Sequence, residues 1–257
     1  MKKIALLFLV LAPFIACNKN DDNLTQQNSL VNISFQHSFD EELVNNTTFN
    51  TLQYTNAFGS ELSLTKLRYL ITNVTFTNQD GIATKVRDYQ LVDVTENTGM
   101  FITGTSLPPG MYNLKMRFGF MESENNPGIY PDLNAASWNV PEMLGGGYHY
   151  MQLEGRYIDD SNETSIYAYH TISAVQNPGP ENTREDTSIE IDLGTINVEG
   201  TTTTINVNMN ISEWFKNPNI WNLNTLNGML MGNYAAQKLM EENGQTVFSL
   251  GTVSGVQ

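Results

Sequence analysis

The chain has 257 residues, of which 27 are acidic and 13 basic, so its formal net charge at pH 7 is −14. An acidic surface repels nucleic-acid phosphates and anionic lipid headgroups, which argues against both as partners. The length allows one or two hydrophobic cores, and the single cysteine excludes an intramolecular disulfide.

The first seventeen residues, MKKIALLFLVLAPFIAC, have the pattern of a bacterial lipoprotein signal peptide. Lys2 and Lys3 form a basic start, and residues 4–15 form an apolar run that is too short to span a bilayer. Cys17 follows a small residue and would become the lipidated first residue of the mature chain. An ordinary signal peptide with a chance cysteine is the alternative. We therefore expect a membrane-anchored lipoprotein on the periplasmic or cell-surface face of the outer membrane.

Residues 18–29 have the composition of a polar tether, and residues 30–257 are expected to form one domain. Short alternating runs rich in Val, Ile, Thr and Tyr fill most of that domain, with turn residues such as Pro108-Pro109-Gly110 between them. This pattern predicts an all-β fold, an antiparallel β-sandwich. The predicted strands include VNISFQHSF, LTKLRYLITNVTFTNQDG, DYQLVDV, MYNLKMRFGF, YHYMQLEGRYI, SIYAYHTI, SIEIDLGTI and TTTINVNMNI.

Helical patterns occur only near the C-terminus, where one or two short helices are predicted. The segment ISEWFKNP would form one turn that begins at Ser212 and stops before Pro218. The segment NYAAQKLMEENG would form a short helix with Asn233 as N-cap and Gly244 after its end. The final residues, FSLGTVSGVQ, are predicted to form an edge strand or a loop.

Standard catalytic motifs are missing from the sequence, which favours a binding protein over an enzyme. No serine lies in a nucleophile elbow, and the glycines at 145–147 lack the Lys-Ser/Thr of a phosphate loop. Carboxylate pairs such as Asp159-Asp160 and Glu185-Asp186 lie in turn-like stretches. A glycan-processing enzyme that uses acidic residues is therefore only a third hypothesis.

Each of the three histidines alternates with apolar residues along a predicted strand. By this alternation all three imidazoles point inward with the apolar side chains. A buried imidazole needs hydrogen-bond partners or a metal ion, so a packed core histidine is the alternative at each position. Imidazoles without thiolates favour copper over magnesium, calcium or zinc. The expected face neighbours are Ile33, Phe35 and Phe39 for His37, Met151 and Leu153 for His149, and Ile166, Ala168 and Ile172 for His170.

An ordered series of segments covers nearly the whole mature chain and resembles the MbnP-like copper-binding domain of bacterial lipoproteins and methanotroph copper proteins. The resemblance implies a β-sandwich that holds one copper ion with histidines and an oxidised tryptophan. The segments are VNISFQHSFDEELVNNTTFNTLQYTNAFGSELSLTKLRYLITNVTF, YQLVDV, LPPGMYNLKMRFGF, DLNAASWNVPEMLGGGYHYMQLEGRY, YAYHTI and AAQKLMEENGQTVFSLG.

Carried over to this chain, the resemblance implies that His37, Trp138 and His170 are the metal ligands, with His149 as an alternative. Trp138 matches the tryptophan that becomes kynurenine in characterised relatives. Intact indole cannot coordinate copper, because its nitrogen is only a donor. The resemblance also implies a dihaem peroxidase-type partner for this oxidation and an outer-membrane transporter as a further partner. The loop after Trp138 is expected to fold it back over the end of the sandwich, with His149 starting the next strand.

A metal-free binding or adhesion module on the same sandwich is the alternative function. In that hypothesis four strand tyrosines would stack on a glycan, although strand tyrosines commonly only cover a sheet. The tyrosines concerned are Tyr148, Tyr150, Tyr157 and Tyr169.

Overall fold

The structure of the protein is a computed structural model that describes residues 27–256. The predicted signal peptide, Cys17 and most of the predicted tether lie outside the described residues. Within the described part of the chain, the helices are all too short or too polar to cross a membrane.

The described residues form an all-β sandwich with few helices, as the sequence predicted. Fourteen strands are present in this part of the chain. They are β1 (Ser29–Phe39), β2 (Glu42–Leu43), β3 (Tyr54–Thr55), β4 (Glu61–Asn78), β5 (Ala83–Asp93), β6 (Phe101–Leu107), β7 (Gly110–Phe118), β8 (Met151–Ile158), β9 (Thr164–Thr171), β10 (Ala174–Gln176), β11 (Thr183–Glu185), β12 (Ile189–Val198), β13 (Thr202–Asn210) and β14 (Phe248–Val256).

The strands form two main sheets and one small ribbon. The five-stranded sheet has the order β14-β13-β1-β2, with β6 also paired to β1. The seven-stranded sheet has the order β12-β7-β4-β8-β9, with β3 and β5 also paired to β4. Strands β10 and β11 pair only with each other. The long strand β4 is therefore the centre of the seven-stranded sheet.

The core lies between the inner faces of the two main sheets. Tyr69 of β4 shows the contact, because its ring centroid lies 6.2 Å from that of Phe35 on β1 and 5.8 Å from that of Phe248 on β14. Alternate residues of β1, from Val31 to Phe39, are buried in this layer and include His37. The predicted inward face of β1 is confirmed.

One strand pair departs from the predicted antiparallel arrangement. Strands β1 and β13 run parallel, with Ser34 opposite Asn206. Period-two alternation is the same in both orientations, so the sequence pattern could not distinguish them.

Both predicted helical segments are present, and the structure adds shorter ones that the sequence did not predict. Helix α1 (Pro131–Ala135) was not predicted, while helix α2 (Tyr234–Gly244) has the predicted N-cap, since Asn233 Oδ1 accepts the amide of Ala236. Gly244 is the last residue of α2 and does not follow its end. Residues 27–256 also contain four 3₁₀ turns, at Asn46–Thr48, Glu142–Leu144, Ile211–Phe215 and Leu230–Gly232. The turn at Ile211–Phe215 is the one predicted to begin at Ser212.

Candidate metal centre

The loop between Trp138 and His149 is closed by backbone hydrogen bonds that bring its two ends together. The amide of His149 donates to the carbonyl of Trp138 at 3.0 Å, and the amide of Val140 donates to the carbonyl of Gly147 at 2.9 Å. Gly147 has a φ of 76°, and a Cβ there would lie 2.6 Å from Oδ1 of Asn125, so the position requires glycine. The indole and imidazole centroids of Trp138 and His149 are consequently 5.6 Å apart.

His170 lies beside this loop, on the outer face of β9. Tyr167 and Tyr169 fill the inner face of the strand, and His170, between Tyr169 and the end of β9, points to the other side. The ring of His170 lies edge-on to that of His149, with a centroid distance of 5.5 Å and an interplanar angle of 83°. Two histidines separated by 21 residues thus meet outside the sandwich core.

The hydrogen-bond partners of the two rings decide which nitrogens carry protons. Nδ1 of His149 lies 3.0 Å from the carbonyl oxygen of Trp138, which only accepts, so Nδ1 carries the proton and the lone pair lies on Nε2. Nε2 of His170 lies 2.9 Å from Oε1 of Glu154, so in the neutral ring Nδ1 carries the lone pair. Metal-binding histidines are commonly held in this way, with the second ring nitrogen donating to a carbonyl or carboxylate.

Glu154 ties His170 to a lysine on the neighbouring strand. Its Oε1 also accepts from Nζ of Lys66 at 2.9 Å. The hydrogen bond from His170 lowers the pKa of Glu154 to about 2, with a further lowering from Lys66 against the opposing effect of burial. Glu154 is therefore a carboxylate at neutral pH and accepts from both groups.

His149 is neutral at pH 7. Burial lowers its pKa to about 4, although its hydrogen bond to the carbonyl of Trp138 acts in the opposite direction. A neutral imidazole is the form that binds a metal ion.

Trp138 is fully buried beneath a guanidinium group. The centre of the Arg68 guanidinium lies 4.9 Å from the indole centroid, and Nη2 of Arg68 donates to the carbonyl of Ala136 at 3.1 Å. Nε of Arg68 lies 2.9 Å from the carboxylate of Asp93, as an ion pair without an aligned hydrogen bond. The indole Nε1 has no hydrogen-bond partner within residues 27–256. An unpaired buried donor of this kind costs about 1–3 kcal/mol.

His37 lies on the other side of the seven-stranded sheet. Its Nε2 is hydrogen-bonded to the hydroxyl of Tyr69 at 2.9 Å inside the sandwich core, and burial lowers its pKa to about 4. Tyr69 follows Arg68 in β4, and adjacent strand residues point to opposite faces. The sheet therefore separates His37 from the ring of His170, and the two cannot share an ion in this arrangement. Of the residues expected to bind metal, the structure brings together Trp138, His149 and His170, but not His37.

We call Trp138, His149, Glu154 and His170 the outer-face cluster. Among residues 27–256, no three His, Cys, Asp or Glu side chains are arranged so that they could hold a metal ion. The outer-face cluster therefore presents two imidazole nitrogens and no complete protein cage. A third donor to an ion would have to be a different chemical group.

Sequence comparison identifies the family to which this fold and this cluster belong. The sequence model of the MbnP family matches residues 28–231. The chain belongs to the MbnP family. The matched region runs from the start of β1 through Met231 and contains every residue of the outer-face cluster, whereas α2 and β14 follow it.

Structural comparison gives the same fold. The structure is similar to that of MbnP from Methylosinus trichosporium, with a TM-score of 0.55 and 13% sequence identity over 88% of this chain and 99% of that chain. At 13% identity, this similarity shows a shared fold and nothing about function. No curated protein sequence matches the chain.

Two predictions about histidine orientation in this MbnP-family domain are wrong. His170 does not face the core with Ile166 and Ala168. In SIYAYHTI both alternating sets contain apolar residues, and the larger tyrosine rings occupy the inner face, leaving Ile166 75% exposed.

His149 does not share the inner face with Met151 either, and it precedes β8. The alternation breaks between Tyr150 and Met151, which both face the core. The ring of Tyr150 packs on Phe118 at 6.3 Å, and Met151 lies opposite Tyr69. One irregular step moves His149 to the outer face, because a single-residue shift reverses the side-chain direction.

The tyrosines of the glycan-stacking hypothesis are all buried. None has more than 2% of its surface exposed, so none offers a ring face to a sugar. The hypothesis is wrong for Tyr148, Tyr150, Tyr157 and Tyr169.

The sequence reasoning missed Glu154, Lys66, Arg68 and Asp93. These charged residues lie on adjacent strands, with Arg68 paired to Asp93 across β4 and β5 and Lys66 opposite Glu154 across β4 and β8. The alternation LEGR around Glu154 places it on the outward face, which was the one available signal. Its hydrogen bond with His170 could be predicted only from the register between β8 and β9, which the sequence does not show.

Proposed function

We propose that this MbnP-family chain is an exported lipoprotein that binds one copper ion through His149 and His170, for copper uptake, storage or delivery. One observation carries the proposal. Two imidazoles lie 5.5 Å apart, and each has one ring nitrogen hydrogen-bonded to a fixed protein acceptor, which leaves the lone pair of the neutral ring on the other nitrogen.

The separation of the rings fits a shared ion. A metal–imidazole bond is about 2.0–2.1 Å long, so rings bound to one ion have centroids within roughly 6 Å of each other. The observed 5.5 Å lies within this limit. The nearby cations do not oppose a bound cation strongly, because Arg68 pairs with Asp93 and Lys66 pairs with Glu154.

The donor set favours copper among the available metals. It contains imidazoles and no thiolate, and the only cysteine of the chain is the predicted lipidation site. Imidazole ligands suit copper, and copper binds such sites more tightly than other divalent first-row metals. The incomplete set of protein donors also suits a carrier, because an open coordination position allows an ion to enter and leave.

Glu154 is a positioning residue in this proposal. It accepts the Nε2 proton of His170, which fixes the ring and leaves the lone pair of the neutral imidazole on Nδ1. Lys66 holds the same carboxylate oxygen from β4, which limits its motion.

Trp138 is the candidate for a third donor. A dihaem peroxidase-type partner would oxidise the indole to kynurenine with two equivalents of hydrogen peroxide, releasing one ring carbon as formate and one water. A group that cannot coordinate would then be replaced by one that offers a ketone oxygen and an aniline nitrogen. The indole lies next to His149, with a centroid distance of 5.6 Å. A lipid anchor on Cys17 would hold the protein at the outer membrane, where a transporter could exchange the ion.

Elemental analysis tests the proposal directly. Protein purified with added copper should hold one equivalent, and His149→Ala with His170→Ala should remove it, while His37→Gln should retain it. Retention of stoichiometric copper by the double variant would disprove the assignment.

Mass spectrometry tests the two modifications. A peptide containing Trp138 should show the mass change of replacing one carbon by one oxygen when the partner is present. The mature N-terminus should be an acylated Cys17, and Cys17→Ser should release the protein from membranes. An unmodified tryptophan would remove Trp138 from the donor set without affecting the histidines.

A further inference from the structure

The outer face of the five-stranded sheet carries mostly amides and hydroxyls, with Leu30, Phe101 and Val256 as exposed apolar residues, and no charged side chain along its long strands. This absence is unusual in a chain with 40 charged residues, 27 acidic and 13 basic. The outer face of the seven-stranded sheet, by contrast, presents ion pairs such as Lys115 with Glu190. We call the uncharged surface the amide face. Its residues are Leu30, Asn32, Ser34, Gln36 and Ser38 of β1, Thr202, Thr204, Asn206, Asn208 and Asn210 of β13, Phe101 and Ser106 of β6, and Ser249, Thr252, Ser254 and Val256 of β14.

The strand register arranges these groups in rows. In the parallel pair of β1 and β13, Ser34 lies opposite Asn206 and Gln36 lies opposite Asn208. Neighbouring strands are about 4.8 Å apart, so four strands give a polar surface roughly 14 Å wide. Nδ2 of Asn206 donates to Oγ1 of Thr252 at 2.6 Å, which links β13 to β14 across the face.

Asn210 is occupied by the following turn, since its Oδ1 accepts from the amides of Asp40 and Ser212. Asn206 keeps more of its hydrogen-bonding capacity for a ligand. A carboxamide offers two donors and two lone pairs, so the single bond from Asn206 to Thr252 leaves most of its capacity free. A partner with closely spaced hydroxyl groups could use both donors and acceptors of such a surface.

Phe101 adds an apolar platform at one side of the amide face. Phe101 lies on β6, opposite Ser34 of β1, which places it on the outward side of the sheet. Its side chain is well exposed, with 61% of the surface of the residue accessible. Polar rows beside an exposed aromatic ring match a sugar chain, whose rings have apolar C–H faces and hydroxyl edges.

We propose that the amide face binds a neutral polysaccharide. The charge distribution selects this ligand class, because the long strands of the face offer no fixed charge to attract a charged polymer. The charged side chains that border the face beside Gln36 and Ser38, Asp40 and Glu41, are acidic and repel an anionic polymer. The surrounding protein, with a net charge of −14, repels acidic polysaccharides in addition. The site is independent of the outer-face cluster, since the two lie on different sheets.

Affinity electrophoresis of the mature protein tests the proposal, with mannan, dextran and hydroxyethyl cellulose as neutral probes and alginate as an acidic one. At least one neutral probe should retard migration, and alginate should not. Phe101→Ala should weaken retardation about tenfold and Asn208→Asp by several fold. Phe58→Ala is the matched control, because Phe58 is 46% exposed outside the amide face and its loss should change nothing.

Four results would overturn the proposal. They are no retardation by any of the three neutral probes, equal retardation by alginate, equal weakening by Phe58→Ala and Phe101→Ala, or a dimer in sedimentation that Phe101→Ala dissociates. Circular dichroism checks that each variant is folded. The variant lacking His149 and His170 should keep its retardation, so copper binding and glycan binding can fail separately.

Discussion

The two faces of the seven-stranded sheet place buried histidines in different chemical settings. On the inner face, His37 has Tyr69 as its hydrogen-bond partner and lies in an aromatic core. On the outer face, His149 lies against a second imidazole. Burial lowers the pKa of His37 and of His149 to about 4. Burial and neutrality therefore do not distinguish a packed histidine from a candidate ligand; the second imidazole nearby does.

The largest expected effect is a difference in copper affinity between variants of the outer face and a variant of the inner face. Replacing His149 and His170 together by alanine should reduce copper affinity at least about a thousandfold, roughly 4 kcal/mol, because both nitrogen donors are lost. His37→Gln should change the affinity by less than about twofold. Competition with a copper(I) chelator measures both. A large loss in His37→Gln with no loss in the double variant would reverse the comparison.

The inner face should determine part of the acid sensitivity of the fold. The folded pKa of His37, about 4, lies below its ordinary value of 6.5, so between these values the unfolded chain binds a proton that the folded chain excludes. The free energy of unfolding should therefore decrease as pH falls from about 6.5 to 4, with up to about 3 kcal/mol from His37 alone.

His37→Gln should remove that contribution, while the similar one from His149 remains. Urea unfolding at pH 7 and pH 4.5, in the presence of a metal chelator, measures the difference. Gln36→Ala, at the exposed neighbouring position, is the control and should keep the pH dependence of the parent protein. An unchanged pH dependence in His37→Gln would show that the His37–Tyr69 pair does not oppose protonation.

Glu154 should have an intermediate effect on the outer face. Glu154→Ala should weaken copper binding by about 10–100-fold, because the ring of His170 loses the acceptor that orients it. Glu154→Gln keeps a carbonyl acceptor and should restore most of the affinity. If the two variants bind equally, the carboxylate does not position His170.

Trp138 should have the smallest effect. Trp138→Phe keeps an aromatic ring under Arg68 and removes the indole N–H, which cannot itself coordinate a metal. Copper affinity should therefore fall by no more than about tenfold. The same titration measures it, and folding is checked by circular dichroism. A loss as large as that of the double histidine variant would make Trp138 a principal donor.

Much of the fold could be predicted from local patterns. Alternation along β1, the turn at Pro108-Pro109-Gly110 and the Asn233 cap of α2 each depend on residues within a few positions, so the sequence shows them directly. Helix α1 was not predicted because a segment of five residues is too short to show a periodic pattern. The parallel pairing of β1 with β13 could not be predicted because it joins segments that are far apart in the sequence.

Only part of the candidate site could be predicted from local sequence patterns. The sequence singled out all three histidines by their alternation with apolar residues, and Trp138 by the family resemblance. It could not show which of them meet. That depends on the irregular step at Tyr150–Met151 and on the choice between two apolar faces of β9.

By itself, the sequence determined the sandwich class and the residues available for metal binding, because side-chain periodicity and donor chemistry are local properties. The tertiary structure alone decided that His149 and His170 meet on one face while His37 stays on the other. Strand register and a one-residue break in alternation set the direction of every imidazole, and no local pattern encodes how strands from distant segments align.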